Sequence, residues 1–284
     1  MKINSTIFFT IASLMYSVLL MIAYFSKDKI KTPENKVYSK LIIINFVGIV
    51  LEIFCTIFAG YAEEHMLFYT ILNKLFLIEL IAWGATFGTY VFLISSKKDS
   101  KEELKRYMKK VLRSYIILLL LISILVIMLP LQFKFRDGYV MYSYGDAANA
   151  VYFGIFLPHN LSILPLKLSL KIPASQSPSK SLYLPIYVYL FVGTIVSFIQ
   201  KMIPELLLAT TMDTFITVIM YFTIENPDIK LSKELKYTKE LLNKRNELAS
   251  NTINNLIISI KEPLTEIANF SNKKINKNNI SLSL

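Results

Sequence analysis

Residues 115–133 read YIILLLLISILVIMLPLQF, an apolar run without a single charged side chain. An α-helix needs about 20 apolar residues to cross the hydrocarbon core of a bilayer. Six further apolar stretches lie along the chain, at 5–25, 41–61, 68–95, 148–168, 182–199 and 204–224. The sequence therefore predicts an all-α, polytopic transmembrane bundle of seven helices.

The overall composition also indicates a membrane protein. Apolar residues make up 54% of the 284 residues and charged residues only 18%, with a mean hydropathy of +0.48, whereas soluble domains contain about 25% charged residues. Only residues 200–203 separate the last two apolar stretches, so a re-entrant turn with six spans is the alternative to seven. No small-residue cleavage site follows residue 25, which predicts a retained first helix rather than a signal peptide.

The distribution of positive charge predicts the orientation. The loops on one side of the predicted spans, together with the C-terminal tail, hold 26 of the 31 Lys and Arg residues. The opposite side holds Lys2, Lys134, Arg136 and Lys201. Cytoplasmic loops carry the excess of Lys and Arg, so the N-terminus is predicted outside and the tail in the cytoplasm. The net charge of +11 is explained by this asymmetry, and no nucleic-acid partner is expected.

A β-hairpin is predicted in the loop after the fourth stretch. Residues 133–142, FKFRDGYVMY, alternate in polarity around Asp137-Gly138, the strongest two-residue hairpin signal. On the predicted topology this hairpin is extracellular. It is either a plain connector to the fifth span or a lid over a ligand pocket.

A cytoplasmic helix is predicted over residues 225–271, after a transmembrane domain at 1–224. Pro227 suits the first turn of a helix and Asp228 complements its dipole. An apolar side chain then recurs every seven residues, while the partner heptad positions are mostly polar, which predicts a weak coiled coil. The recurring residues are Leu235, Leu242, Ala249 and Leu256. The last segment, 272–284, is rich in Asn and Lys and is predicted to be disordered.

The chain resembles a known protein family along almost its whole length. A seven-helix membrane domain, the stretch YFTIENPD at 221–228 and a charged helix resemble the membrane-bound sensor histidine kinases of low-GC bacteria. In that family the helix leads to the phosphoacceptor box SHEIRTPL. The matching stretch here is IISIKEPL at 257–264, followed by TEIANFS at 265–271. The resemblance implies a transmembrane sensor domain, a signalling and dimerisation helix, and location in a bacterial plasma membrane.

This chain differs from the family at the residues that take part in phosphate transfer there. Ile258 stands at the position of the phosphorylated histidine and has no nucleophilic nitrogen. Ser259 stands where the family has an acid next to the histidine, and Glu262 stands where it has a threonine that positions water. Lys261 stands for the arginine of the box, and Pro263 matches its proline. The residues after 270 are too few for an ATP-binding domain. The resemblance therefore implies a degenerate relative, not an enzyme, that forms a homodimer or a heterodimer with an intact histidine kinase.

Ionisable side chains inside the predicted spans form the candidate site, since such residues are costly in a bilayer and usually functional or paired. Lys74 is expected either to pair with Glu79 or to reach towards the interface. The set is interpreted either as a pocket for a polar ligand or cation, or as interhelical hydrogen bonding that fixes packing. Its members are Glu52, Lys74, Glu79, His159 and Asp213. No sequence motif for a cofactor or metal is present, so no cofactor is expected.

Two functional classes follow from these observations. The first is a non-catalytic membrane receptor that detects an unknown small ligand and modulates an intact partner kinase. The second is a small transporter or channel that uses the intramembrane acids, although no inverted repeat favours it. A truncated gene product without a present function is a third interpretation. The ligand, the partner kinase and its response regulator cannot be named from the sequence.

Overall fold

The structure is a computed structural model that describes residues 7–27, 32–95, 101–152, 184–203 and 205–281. The chain divides into two compact units, one ending at Ile229 and the other beginning at Lys230. The described residues are almost entirely helical, with one two-stranded sheet. The predicted all-α class is confirmed.

The part of the first unit that the structure describes contains seven α-helices and a hairpin. They are α1 (Ile7–Phe25), α2 (Pro33–Phe58), α3 (Met66–Ser95), α4 (Lys101–Met128), β1 (Gln132–Arg136), β2 (Tyr139–Tyr144), α5 (146–152, as far as it is described), α6 (Leu184–Met202) and α7 (Ala209–Met220).

Three described helices are long and apolar enough to cross a membrane, namely Ile7–Phe25, Pro33–Tyr61 and Met66–Ile94. Shorter apolar helical stretches lie within α4 at Ile116–Met128 and within α6 at Tyr187–Gln200. These helices identify a membrane protein. The count of seven spans stays a prediction, and the predicted span at 148–168 lies mostly outside the described residues.

Two helices do not begin and end where their apolar stretches do, because hydropathy does not mark helix ends. Helix α2 begins at Pro33 rather than at residue 41, since the Thr32 side chain caps it by accepting a hydrogen bond from the Asn35 N–H (3.3 Å). Helix α4 begins at Lys101, within the charged segment before residue 115, and ends at Met128. Pro130 follows, and Phe133 already belongs to β1.

The described helices of the first unit pack around α2 and α7. Helices α1, α2 and α7 contact one another, α2 packs on α3, α3 on α4, and α6 on α7. Aromatic rings of α3 form much of the core, where Trp83 and Phe87 stack with centroids 5.3 Å apart. The outward side chains of α1 are apolar, as expected for a helix in contact with lipid. They include Phe8, Met15, Leu19 and Ile22.

The predicted hairpin is confirmed. Strands β1 and β2 pair antiparallel, and Arg136 lies opposite Tyr139 across the two-residue turn. Asp137 and Gly138 both have positive φ, at 52° and 74°, which is the conformation that an Asp-Gly hairpin turn requires. The Tyr139 hydroxyl group donates to the backbone carbonyl of Thr56 (2.8 Å), so the hairpin is attached to the end of α2.

The first compact unit includes the residues that follow 224, as far as Ile229, and the end of the transmembrane domain at 224 stays a prediction. Residues Tyr221–Glu225 form a π-helical turn after α7, and Glu225 is buried, where it accepts a hydrogen bond from the Tyr90 hydroxyl group (2.6 Å). Asp228 forms an ion pair with Lys27, and this contact raises the pKa of the Lys27 ammonium group. The compact unit therefore extends to Ile229.

Helix α8 (Pro227–Ser281) forms the second unit from Lys230 onwards. Its side chains from 234 to 271 are all exposed. Pro263 lies inside the helix. Helix α8 is described as far as Ser281, and the disorder of 272–284 stays a prediction. No glycine or proline interrupts residues 264–281, so no strong helix breaker ends it earlier.

Candidate functional site

A cavity of about 220 Å³ lies within the membrane unit. Its described walls come from α2, α3, β2, α5, α6 and α7. Two acidic side chains line it, Glu52 from α2 and Asp213 from α7. The cavity therefore brings together two of the residues that the sequence identified as candidates.

Glu52 connects the cavity to two neighbouring helices. Its carboxylate accepts hydrogen bonds from the hydroxyl groups of Thr10 on α1 (3.3 Å) and Thr210 on α7. Glu52 is 2% exposed, so these two hydroxyl groups replace water around its carboxylate. The side chain thus fixes the packing of α1, α2 and α7 and faces the cavity at the same time.

Asp213 lacks such partners in the described part of the chain. Its side chain is 6% exposed and lines the cavity, and no described residue donates a hydrogen bond to its carboxylate. An isolated carboxylate is expensive to bury unless a counter-charge or a donor compensates it. The Asp213 carboxyl group is thus a polar group of the cavity that accepts no hydrogen bond from the described residues.

Glu79 lies close to the other two acids but not in the cavity wall. It interacts electrostatically with Asp213 and with Glu52. The Glu79 carboxylate occupies a niche against Gly48 of α2, where an added Cβ atom would lie 2.1 Å from Oε2. Its Oε2 atom is buried and has no hydrogen-bond partner among the described residues.

Lys74 does not pair with Glu79, which was one of the two expectations for it. Its Nζ atom donates to the backbone carbonyls of Ile127 (2.6 Å) and Leu129 (2.8 Å). These carbonyls belong to the C-terminal end of α4, where the last carbonyl groups lack intrahelical partners and the helix dipole attracts a positive charge. Lys74 therefore joins α3 to the end of α4.

Seven aromatic side chains form part of the described wall. Trp83 of α3 and Tyr189 of α6 lie 5.8 Å apart between ring centroids and both line the cavity. The indole N–H of Trp83 is buried and has no partner in the described ranges. Further lining rings are Tyr69, Phe76, Tyr139, Tyr142 and Tyr152.

The hairpin contributes directly to the cavity. Residues 139–143 of β2 line it, next to the end of α2 at Ala59. Val140 is buried against Ala59, Ala62 and Tyr69. This position agrees with the interpretation of the hairpin as a lid over a pocket rather than as a plain connector.

A seam of small polar residues was missed at the sequence level. Ser13 of α1 donates to Thr211 of α7 (3.1 Å), and Asn45 of α2 donates to Thr214 (3.2 Å). A signal for this seam was available, because four polar residues of α7 recur at helical spacing and all are buried. They are Thr210, Asp213, Thr214 and Thr217.

The remaining candidates do not meet the cavity. His159 lies outside the described residues. Each residue of the degenerate box lies on α8 and is exposed, and the Ser259 hydroxyl group donates to the carbonyl of Leu256 in its own helix (2.9 Å). These residues are Ile258, Ser259, Lys261, Glu262 and Pro263.

No cluster of three or more His, Cys, Asp or Glu side chains suited to a metal ion occurs in the described ranges. Cys55 is buried and unpaired in the cavity wall. The site is thus a cavity with two carboxyl groups and seven aromatic side chains among its described lining residues, and the hairpin forms part of its wall. Neither the protein-family models nor the curated proteins compared with the chain match it.

Proposed function

We propose that this chain is a non-catalytic membrane signal receptor, in which the cavity binds a small ligand and α8 carries the output. The observation that carries the proposal is the position of Asp213. It lines the cavity, and it lies on α7, the helix that leads through Tyr221–Glu225 into α8. A ligand that binds Asp213 therefore acts on the helix that precedes the signalling segment.

Glu52 gives the cavity a second connection to α7. Its carboxylate holds Thr210 of α7 and Thr10 of α1 while it faces the ligand space. A ligand that draws this carboxylate towards the cavity weakens one or both of these contacts. Because packed helices have discrete arrangements, a small change at such a contact favours a different position of α7.

The proposed output is a change in a dimer of α8. The apolar heptad positions are exposed in the single chain, Leu235 by 70%, Leu242 by 57% and Leu256 by 55%. A second helix would cover them, from another copy of this chain or from an intact histidine kinase of a bacterial plasma membrane. The likeness of 257–271 to the phosphoacceptor segment supports a kinase partner, and Ile258 supports the absence of phosphate transfer.

Disulfide crosslinking tests the dimer. In a Cys55→Ala background, Leu242→Cys is expected to crosslink readily between two chains in native membranes. Glu240→Cys, two positions away on the same exposed helix, is the matched control and is expected to crosslink slowly. Equal crosslinking at both positions, or none at Leu242→Cys, would contradict a specific dimer through this face.

A transporter is the second candidate, because three acids lie together inside the membrane unit. Buried carboxylates of this kind also serve as proton relays. Reconstitution into liposomes that contain a pH-sensitive dye separates the two functions. Proton flux under an imposed membrane potential that Asp213→Asn abolishes would favour the transporter, whereas the receptor predicts no flux above that of empty liposomes.

A further inference from the structure

The cavity holds two carboxyl groups for which the described residues supply no counter-charge. Asp213 accepts no hydrogen bond there, and Glu52 is contacted by hydroxyl groups rather than by a cation. Among the described residues, Lys27 and Asp228 form an ion pair, but both side chains are exposed and neither lines the cavity. Buried carboxylates are normally paired. The cavity is consequently complementary to a positive charge supplied from outside the described chain.

The aromatic wall selects the kind of cation. The faces of Trp and Tyr rings attract an ammonium group that lies within about 6 Å of the ring centroid. Trp83 and Tyr189 supply such rings in the wall of the cavity that Asp213 also lines, and Tyr69 and Tyr152 add two more. Rings combined with a carboxylate are the arrangement by which proteins recognise quaternary ammonium groups.

The size of the cavity and the kinds of side chain that line it argue against an inorganic ion as the ligand. An apolar cavity of about 150 Å³ holds benzene, so a cavity of about 220 Å³ has room for a small organic molecule. Hard cations such as Ca²⁺ require six or more oxygen ligands at close range. The described wall offers two carboxyl groups and a few neutral oxygen ligands, such as Asn73 and Gln200, among mainly aromatic and aliphatic side chains.

We infer that the cavity binds a small organic cation, whose ammonium group lies beside Asp213 and Glu52 and against the aromatic rings of the wall. This cation is the ligand class of the proposed receptor. Only the effect of binding on α8 rests on the receptor function, whereas binding itself does not. Binding itself is measured without any signalling output, so its failure and the failure of the receptor proposal are distinguishable.

Calorimetric titration of the purified full chain in detergent tests the inference with two matched probes. Choline carries a trimethylammonium group, and 3,3-dimethyl-1-butanol has the same shape without the charge. Choline is expected to bind, and the neutral alcohol to bind at least about tenfold more weakly because it leaves the carboxylate unpaired. Equal affinities, or no binding of choline, would overturn the inference.

Two acid-to-amide variants locate the charge. Asp213→Asn is expected to weaken choline binding at least about tenfold, and binding of the neutral alcohol far less. Glu79→Gln is the control, because Glu79 is buried nearby but does not line the cavity, and a smaller effect is expected. An equal loss in both variants, or none in Asp213→Asn, would contradict the site. The comparison of the two probes on the unaltered chain holds even if a variant fails to fold.

A lipid headgroup and a free solute share this ammonium chemistry. Titration of choline into the chain in nanodiscs of pure phosphatidylglycerol, and in nanodiscs that also contain phosphatidylcholine, separates the two sources. Choline binding in both kinds of nanodisc identifies a free solute as the ligand. Choline binding that phosphatidylcholine suppresses identifies the headgroup. The absence of choline binding from both would contradict an ammonium site of either kind.

Discussion

The Glu79 carboxylate of α3 occupies the space that a side chain at Gly48 of α2 would fill. An ideal Cβ atom at Gly48 would lie 2.1 Å from Oε2 and 2.4 Å from Oε1 of Glu79. Glu79 is 8% exposed, so its carboxylate can move only if the surrounding helices adjust. The absence of a side chain at Gly48 is therefore what allows the acid to lie between the two helices.

Gly48→Ala is expected to destabilise the protein by about 1–3 kcal/mol, the usual cost of overpacking a core. Gly193→Ala in α6 is the control, because its Cβ would meet Met212 Sδ at 3.4 Å, an ordinary contact, with the same gain in helix propensity. Unfolding in detergent measures both. The loss at Gly48→Ala should shrink in a Glu79→Ala background, and an unchanged loss would show that the carboxylate is not the obstacle.

Lys74→Met is expected to cost about 1–2 kcal/mol of stability, because the charged donor to the Ile127 and Leu129 carbonyls is lost. Amide hydrogen exchange should show the loss as faster exchange at the end of α4. Lys134→Met removes an exposed lysine of β1 and serves as the control, with little change expected. Equal effects of the two changes would contradict the role of Lys74 at the end of α4.

Thr210→Val removes one of the two hydroxyl donors to Glu52 and keeps the shape of the side chain. A buried carboxylate that loses a donor is expected to cost about 1–3 kcal/mol. Thr70→Val is the matched control, since the Thr70 hydroxyl group donates only to the Met66 carbonyl of its own helix (2.8 Å). Thermal unfolding of the two variants should separate them, and identical midpoints would argue against a bridging role for Glu52.

Tyr90→Phe removes the hydroxyl group that donates to Glu225 at the junction of α7 and α8. Because both residues are buried, a loss of about 1–3 kcal/mol is expected. Tyr16→Phe, at an exposed position of α1, is expected to change little. Proteolysis near residue 225 should become faster in Tyr90→Phe alone, and unchanged proteolysis would mean that this contact does not hold the junction.

Hydropathy and turn chemistry predicted the features that depend on local sequence. The apolar helices, the Asp137-Gly138 turn and the start of a helix at Pro227 all follow from residues close together in the chain. Glu52 and Asp213 were identified because an acid in an apolar helix is conspicuous at any position. Their shared cavity could not be predicted, since it depends on how α2 and α7 pack.

Long-range partners account for what the sequence did not predict. Lys74 binds carbonyls more than fifty residues away, so its spacing from Glu79 was no guide to its partner. The sequence does not distinguish Trp83 and Tyr189 from aromatic residues that face lipid, because only the packing of the helices places them in the cavity wall. Thr210 was detectable in principle, because the buried polar residues of α7 recur at helical spacing.

Transmission from the cavity to α8 is tested most directly by the rate of disulfide formation at Leu242→Cys, in a Cys55→Ala background, with and without saturating choline. The expected result is a change in rate of about fivefold or more, the lower range of coupling between two sites. The change should disappear in Asp213→Asn. An unchanged rate, at a choline concentration that titration shows to fill the site, would contradict signalling through α7.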